Sequence, residues 1–261
     1  MAKVAVITGG SSGIGLAAAR MFAEKGYAVY DLSRSGKGEK GISHIPCDVG
    51  DEASVKAAMA AVHKAAGHID VLVLNAGMGI SGPVELSESA AVHKIFDVNF
   101  FGTLFCIQAA LPELRAGKGA IVCVSSVAAP MAIPFQAFYS CTKAAVNDLV
   151  LALRAELRPF GVKVCAVMPG DAKTGFTAAR EKAADPQNLY AGRDTRAVAV
   201  MERDEEHGMT AEAVAKYILR AAAAKRPRPF YVTGAQYRAL VFVARFLPAS
   251  LVNWVIGKMY S

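Results

Sequence analysis

The sequence predicts an α/β fold, a doubly wound parallel sheet covered by helices on both faces. Three observations carry that prediction. Short unbroken runs of Val, Ile, Leu and Ala, the mark of strands buried on both faces, recur along the chain. Segments of helical periodicity alternate with them. The first strand runs directly into a glycine-rich loop that opens a helix, the arrangement a phosphate-bearing ligand needs.

Val4 to Thr8 is the first apolar run, followed by Gly9-Gly10-Ser11-Ser12-Gly13-Ile14-Gly15 and a helix from Leu16 to Lys25 that Gly26 stops. Strands follow at Ala28 to Leu32 and Ile42 to Ile45, then a helix from Asp51 to Ala66 and a strand at Val71 to Leu74. A long helical region spans Ser89 to Arg115, interrupted near Gly102. After it come a strand at Ala120 to Val124, a helix from Gln136 to Leu157 and a strand at Val162 to Val167. The last strand is expected within Lys225 to Gly234, with apolar helices over Tyr237 to Leu247 and Pro248 to Met259. Ligands of such a sheet bind at the carboxyl ends of its strands.

No linker rich in Pro, Gly or Ser divides the 261 residues, so one domain over 1–261 is expected. Formal charge is +7 with basic residues gathered at Arg220, Lys225, Arg226, Arg228, Arg238 and Arg245. Without a nucleic-acid motif or aromatic-basic alternation this favours a solvated surface over a nucleic-acid partner. The five cysteines, Cys47, Cys106, Cys123, Cys141 and Cys165, have no metal spacing and fit reduced residues of a cytoplasmic protein; no metal site is expected. A strand begins almost at the N-terminus, which leaves no room there for a secretion signal. Ala120 to Tyr139 lacks charge over a length that could nominally span a bilayer, but Ser125, Ser126, Pro130, Pro134 and Gln136 argue for a buried strand and a loop instead.

Tyr139 and Lys143 stand one helical turn apart, so the phenol and the ammonium share a face. A nearby fixed positive charge favours phenolate, and this pairing predicts that Lys143 lowers the titration of Tyr139 and makes it a general acid or base. Glycines at Gly9, Gly13 and Gly15 permit a tight turn and close approach of a pyrophosphate to the amides opening the next helix.

Taken together, Thr8-Gly9-x-x-x-Gly13-Ile14-Gly15, Asn75-Ala76-Gly77, Asn99, Ser126, Tyr139-x-x-x-Lys143 and Pro169-Gly170 resemble the short-chain dehydrogenase/reductase family from residue 3 to about residue 175. The resemblance implies a Rossmann-like fold, a nicotinamide dinucleotide and hydride transfer between a carbonyl and an alcohol carbon. It implies that Gly9, Ser11, Ser12, Gly13, Ile14 and Gly15 hold the pyrophosphate and that Asp48 and Val49 flank the adenine. Asn75, Ala76 and Gly77 lie beneath the adenosine ribose, and Pro169, Gly170 and Thr174 fix the nicotinamide. Tyr139 is the proton donor or acceptor, with Ser126 stabilising the substrate oxygen and Ser125 as the competing candidate. Lys143 also binds the nicotinamide ribose, and Asn99 holds a helix break.

Cofactor choice falls at the end of the second strand. Ser33 fills the slot where an acid would bind the NAD ribose, and Arg34 follows it, which points to NADP(H) through the 2′-phosphate. If that strand ended two positions earlier, Asp31 would serve the ribose and the cofactor would be NAD(H).

Beyond about residue 175 the pattern differs from relatives that reduce 3-oxoacyl chains on a carrier protein. A basic turn leading into a C-terminal helical extension over 235–261 resembles the branch holding 17β-hydroxysteroid dehydrogenases, retinol dehydrogenases and acyl-dihydroxyacetone-phosphate reductases. The extension is open to three uses: packing on its own core, forming a homo-oligomer interface, or lying on a membrane surface. Residues 170–208, polar and poor in apolar periodicity, are expected to form a mobile substrate lid, with Phe176, Leu189 and Tyr190, and Met131, Ile133 and Phe135 opposite, as apolar contacts. The expected function is NADP(H)-dependent interconversion of a hydrophobic ketone and a secondary alcohol, a steroid-like substrate first. A 3-oxoacyl or acyl-dihydroxyacetone-phosphate reductase is the alternative, and a non-catalytic NADP(H)-sensing regulator the rival. The resemblance also implies a homodimer or homotetramer through the helices Ser89 to Arg115 and Gln136 to Leu157.

Overall fold

The computed structural model describes residues 2–260, so Met1 and Ser261, the last residue of the expected extension, lie outside it. Seven parallel strands form the sheet: β1 (Val4–Thr8), β2 (Ala28–Ser33), β3 (Ile42–Pro46), β4 (Val71–Leu74), β5 (Ala120–Val124), β6 (Lys163–Met168) and β7 (Phe230–Val232), in the order β7-β6-β5-β4-β1-β2-β3. Val6 of β1 lies between Tyr30 of β2 and Leu72 of β4. The strand order reverses at β1 and β4, and it is there that a crevice opens beyond the carboxyl ends of a doubly wound sheet.

Alternation along each strand builds two cores. Val4 and Val6 of β1 point to one face, where α2 (Glu52–Ala66), α4 (Gly102–Gly117) and α5 (Ala137–Glu156) contribute Val55, Ile107, Leu114 and Val150. Ala5 and Ile7 point to the other, against Phe22 of α1 (Gly13–Glu24) and Val214 and Ile218 of α7 (Ala211–Ala223). Both faces of β1 are therefore apolar, which is why its sequence shows a run and no alternation. Asp51 starts α2 by accepting a hydrogen bond from the Ala53 amide at 2.9 Å.

The break expected near Gly102 is a π-helical turn over Asp97–Phe101, between α3 (Ser89–Phe96) and α4. The uncharged stretch from Ala120 to Tyr139 is β5, a loop and the first turn of α5. Cys47, Cys106, Cys123 and Cys165 are buried, and Cys141 is exposed.

Two helices depart from expectation. The lid contains α6 (Arg193–Glu206), a polar helix that buries only Asp194, Ala197, Val198 and Met201. So narrow a stripe produced no visible apolar period. Helix α7 is the second, capped by the Thr210 hydroxyl at the Ala213 amide and packed on α1. The extension forms α8 (Ala235–Ala244) and α9 (Ala249–Met259), joined through Pro248.

Candidate active site

A cleft of about 520 Å³ lies beyond the carboxyl ends of the strands and is lined by residues following β1, β2, β3, β4, β5 and β6. Gly9 turns the chain out of β1 with φ +65°, a value an L side chain resists. A Cβ on Gly15 would stand 2.1 Å from the Gly9 carbonyl oxygen, so the loop closes only because Gly15 has none. Gly15→Ala is expected to destabilise the fold by roughly 1–3 kcal/mol; an unchanged thermal unfolding midpoint would contradict this close approach. Ser12 precedes α1 without capping it through its side chain, and Gly9, Ser11, Ser12, Gly13 and Ile14 face the cleft. This uncapped helix N-terminus and a loop whose glycines leave its backbone open fit a pyrophosphate. Gly15 lies behind the loop, packed on Gly9 and Asn75, and so shapes the cradle without lining it.

Asn75 ties β1 to β4. Its side-chain amide donates to the carbonyls of Thr8 and Gly9 at 3.1 and 3.2 Å, and the Thr8 hydroxyl accepts from the amides of Asn75 and Ala76 at 3.0 Å each. Asn75, Ala76, Gly77, Asp48, Val49, Pro169, Gly170 and Thr174 all line the cleft. Asp48 accepts from the Gly50 amide at 3.0 Å, and the cap of α2 is Asp51.

At the end of β2, Ser33 and the exposed Arg34 line the cleft, and Asp31 does not. The Asp31 carboxylate is buried, accepting from the Ser33 hydroxyl at 2.8 Å and lying 3.1 Å from His44 Nδ1. It packs so closely under Gly10 that a Cβ there would meet its Oδ1 at 2.7 Å.

Tyr139, in the first turn of α5, lies at the cleft wall with Ser126 and Lys143. The Ser126 hydroxyl lies next to the Tyr139 phenol and favours its ionised form, and its Oγ accepts from the Ala128 amide at 3.1 Å. Ser125, the competing serine, is buried and donates to the Lys143 carbonyl at 3.2 Å, which leaves Ser126 as the hydroxyl facing Tyr139. Asn99 does not line the cleft. From the π-helical turn it accepts from the Met78 amide at 2.8 Å and donates to the Met78 carbonyl at 3.0 Å and to the Thr142 hydroxyl at 3.1 Å. It positions the strand-end loop beside Lys143.

The expected lowering of Tyr139 by Lys143 is not what the structure shows. Burial pushes the Tyr139 phenol up to about 12, opposed by the neighbouring Ser126 hydroxyl, and the charged groups it feels are Glu205 and Arg180. The Lys143 ammonium lies 5.6 Å from the ring centroid and donates to the Val124 carbonyl at 2.9 Å instead of to the phenol. Burial pushes that ammonium down from its ordinary 10.5 to about 8.

The sign of this shift gives a prediction. Between about 8 and 10.5 the unfolded chain binds a proton at this lysine that the native protein does not, so the penalty for burying Lys143 is full below about 8 and fades as pH rises toward 10.5. Lys143→Met is therefore expected to be more stable than the native protein at neutral pH, by on the order of 1–2 kcal/mol after the lost bond to Val124 is allowed for. The gain should shrink above about 8. Thermal unfolding across pH checks it, and a destabilised variant at pH 7 would contradict it.

The lid lies over Tyr139, with the Phe176 ring 5.6 Å from the tyrosine ring. It is held by the Arg180–Glu205 ion pair, by the Thr177 hydroxyl on Glu205, and by ion pairs of Lys94 with Glu181 at 2.5 Å and Lys182 with Glu202 at 2.6 Å. Of the apolar contacts expected from sequence, Phe176 and Ile133 line the cleft. Leu189 is exposed, Tyr190 packs on Phe135 and bonds Glu85, and Met131 is buried beneath α8 and α9. Among the lining residues that were not anticipated are Asp171 and Glu205 from the lid and Tyr237 and Tyr260 from the extension. Tyr237 donates to the Asp171 carboxylate.

The family model for short chain dehydrogenase matches residues 3–185. The chain is 34% identical over 265 residues to a 3-ketodihydrosphingosine reductase of Bacteroides thetaiotaomicron, covering 99% of this chain and 98% of that protein. It is 37% identical over 191 residues to human 17-beta-hydroxysteroid dehydrogenase type 1, covering 66% of this chain and 58% of the relative. Among solved structures, a short-chain dehydrogenase of Streptomyces avermitilis superposes with TM-score 0.84 at 27% identity, over 97% of this chain and 96% of that one. Both nucleotides occur among the similar structures. A Burkholderia phymatum enzyme in complex with NAD has TM-score 0.81 at 26% identity, over 92% of each chain. ElxO with NADP bound has TM-score 0.75 at 28% identity, over 92% of this chain and 100% of that one.

Proposed function

The chain belongs to the short-chain dehydrogenase family, and from that premise we propose that it is an NADPH-dependent reductase of long-chain lipid ketones, foremost one with an ammonium group beside the carbonyl. The observation that carries the substrate class is Asp171. Its carboxyl lines the cleft, is pushed up by burial and further by Asp204 and Glu205, and has no cationic partner among the described residues. Burial pushes the Tyr260 phenol up, and these three carboxylates push it further against Arg180; Glu205 is paired with Arg180 and Asp204 with Arg203, so Asp171 is the one of the three without a cation. A substrate ammonium placed there relieves the repulsion. The similarity to a 3-ketodihydrosphingosine reductase over nearly the whole of both chains supports this reading. A steroid-like ketone is the second reading, supported by the match to the human 17-beta-hydroxysteroid dehydrogenase over two thirds of the chain.

In the reduction, Tyr139 keeps its proton at neutral pH and holds it at the phenol oxygen, next to the Ser126 hydroxyl. A ketone oxygen bound between these two groups receives that proton from Tyr139 while the adjacent carbon becomes the alcohol carbon. When bound, the reduced nicotinamide supplies the hydride. The phenolate left on Tyr139 is stabilised by the Ser126 hydroxyl and by the Arg180 charge and takes a proton back from solvent. Phe176 covers the tyrosine and keeps water from the reacting carbon.

NADPH as the reductant is supported by Arg34 at the cleft wall and by the engagement of Asp31 elsewhere. A cytoplasmic location is supported by the five free cysteines. Self-association through α4 and α5 is supported by the exposed Leu151 of α5 and the exposed Phe101 in the π-helical turn that leads into α4.

Asp171→Asn tests the substrate reading. We expect kcat/KM for 3-ketodihydrosphingosine to fall by roughly 10–100-fold, the loss of one charge-assisted contact. Reduction of a neutral long-chain ketone should change little. Equal loss on both, or preference of the native protein for a keto-steroid, would overturn the ammonium assignment.

A further inference from the structure

The last acidic residue of the chain is Glu212, and the 49 residues after it carry eight lysines and arginines and no Asp or Glu. The remainder is nearly neutral, so the formal charge of +7 belongs to this segment. The same segment contains α8 and α9, whose inner residues Val241 and Ile256 are buried against Val127 and Met131. That anchors them without covering Phe242 of α8, 61% exposed, Phe246 in the connection, 74%, or Trp254 of α9, 60%, beside the exposed Val243 and Leu251. The Phe242 and Phe246 rings meet edge to face at 5.2 Å. Arg238, Arg245 and Lys258 on and beside these helices are exposed, and none makes an ion pair among the described residues.

We propose that α8 and α9 seat this protein on an anionic lipid surface, Phe242, Phe246 and Trp254 entering the interface and the flanking basic residues meeting the headgroups. Aromatic side chains rimmed by Lys and Arg are what such an interface accepts. Charge decides against a second copy of the chain as the occupant. Two such faces brought together would oppose like charges, with no carboxylate in either segment to offset them. The extension also reaches the cleft, since Tyr237 and Tyr260 belong to its wall.

The test is sedimentation of the full chain with vesicles of phosphatidylglycerol and phosphatidylcholine, compared with vesicles of phosphatidylcholine alone. It needs no substrate and no turnover, so it stands apart from the proposed activity. Binding is expected on the anionic vesicles only and should weaken with added salt. Arg238→Gln and Arg245→Gln should each weaken it roughly fivefold. Phe246→Ser combined with Trp254→Ser, both at exposed positions and so compatible with folding, should abolish it. Equal binding to neutral vesicles, or no binding to either, would overturn the proposal. So would a native oligomer, measured by light scattering, that the Phe246→Ser, Trp254→Ser variant converts to monomer.

Discussion

Tyr139→Phe is expected to lower ketone reduction by roughly 10²–10⁴-fold, the contribution of a positioned general acid, while nucleotide binding is retained. The phenol oxygen is the only atom removed. Ser126 remains beside the site to bond the ketone, and Lys143 keeps its bond to the Val124 carbonyl. The ring also keeps its place against Phe176. Because burial holds the native phenol well above neutrality, the loss should be nearly constant from mildly acidic pH up to about 8, where Lys143 begins to lose its charge. A variant with native activity would remove Tyr139 from the chemistry. One that no longer binds nucleotide would show that the substitution disturbs the cradle as well.

The second large effect is expected at Arg34. Arg34→Ala should lower kcat/KM with NADPH by roughly 10–100-fold, the value of one or two charge-assisted bonds to a phosphate, and leave the slower reaction with NADH nearly unchanged. Arg34 is exposed, so its removal should not disturb folding. Asp31 cannot readily take over the ribose, because its Oδ2 is engaged by Ser33 and His44 and its Oδ1 lies buried tightly under Gly10. A native protein that prefers NADH would contradict this account of β2.

The nucleotide half was legible in the sequence because its signals are local. A buried strand, a glycine loop and a helix opening are contiguous, and the spacing of Tyr139 and Lys143 fixes a shared helical face. The titration of Tyr139 was not legible, since spacing reports proximity and the outcome depends on how deeply each group is buried. The substrate half was poorly legible for a related reason. Tyr237 reaches an aspartate 66 residues earlier in the chain, and nothing in an apolar tail announces which residue turns inward. Helix α6 stayed hidden because its buried stripe is short and includes Asp194.

The most direct measurement is NADPH oxidation by the purified chain in the presence of 3-ketodihydrosphingosine, with the product identified by mass. The account predicts one NADPH consumed for each ketone converted to its secondary alcohol, with a much slower reaction in NADH. Bound NADPH that stays reduced with this ketone and with neutral long-chain ketones and keto-steroids would contradict it, leaving a protein that senses the nucleotide without using it.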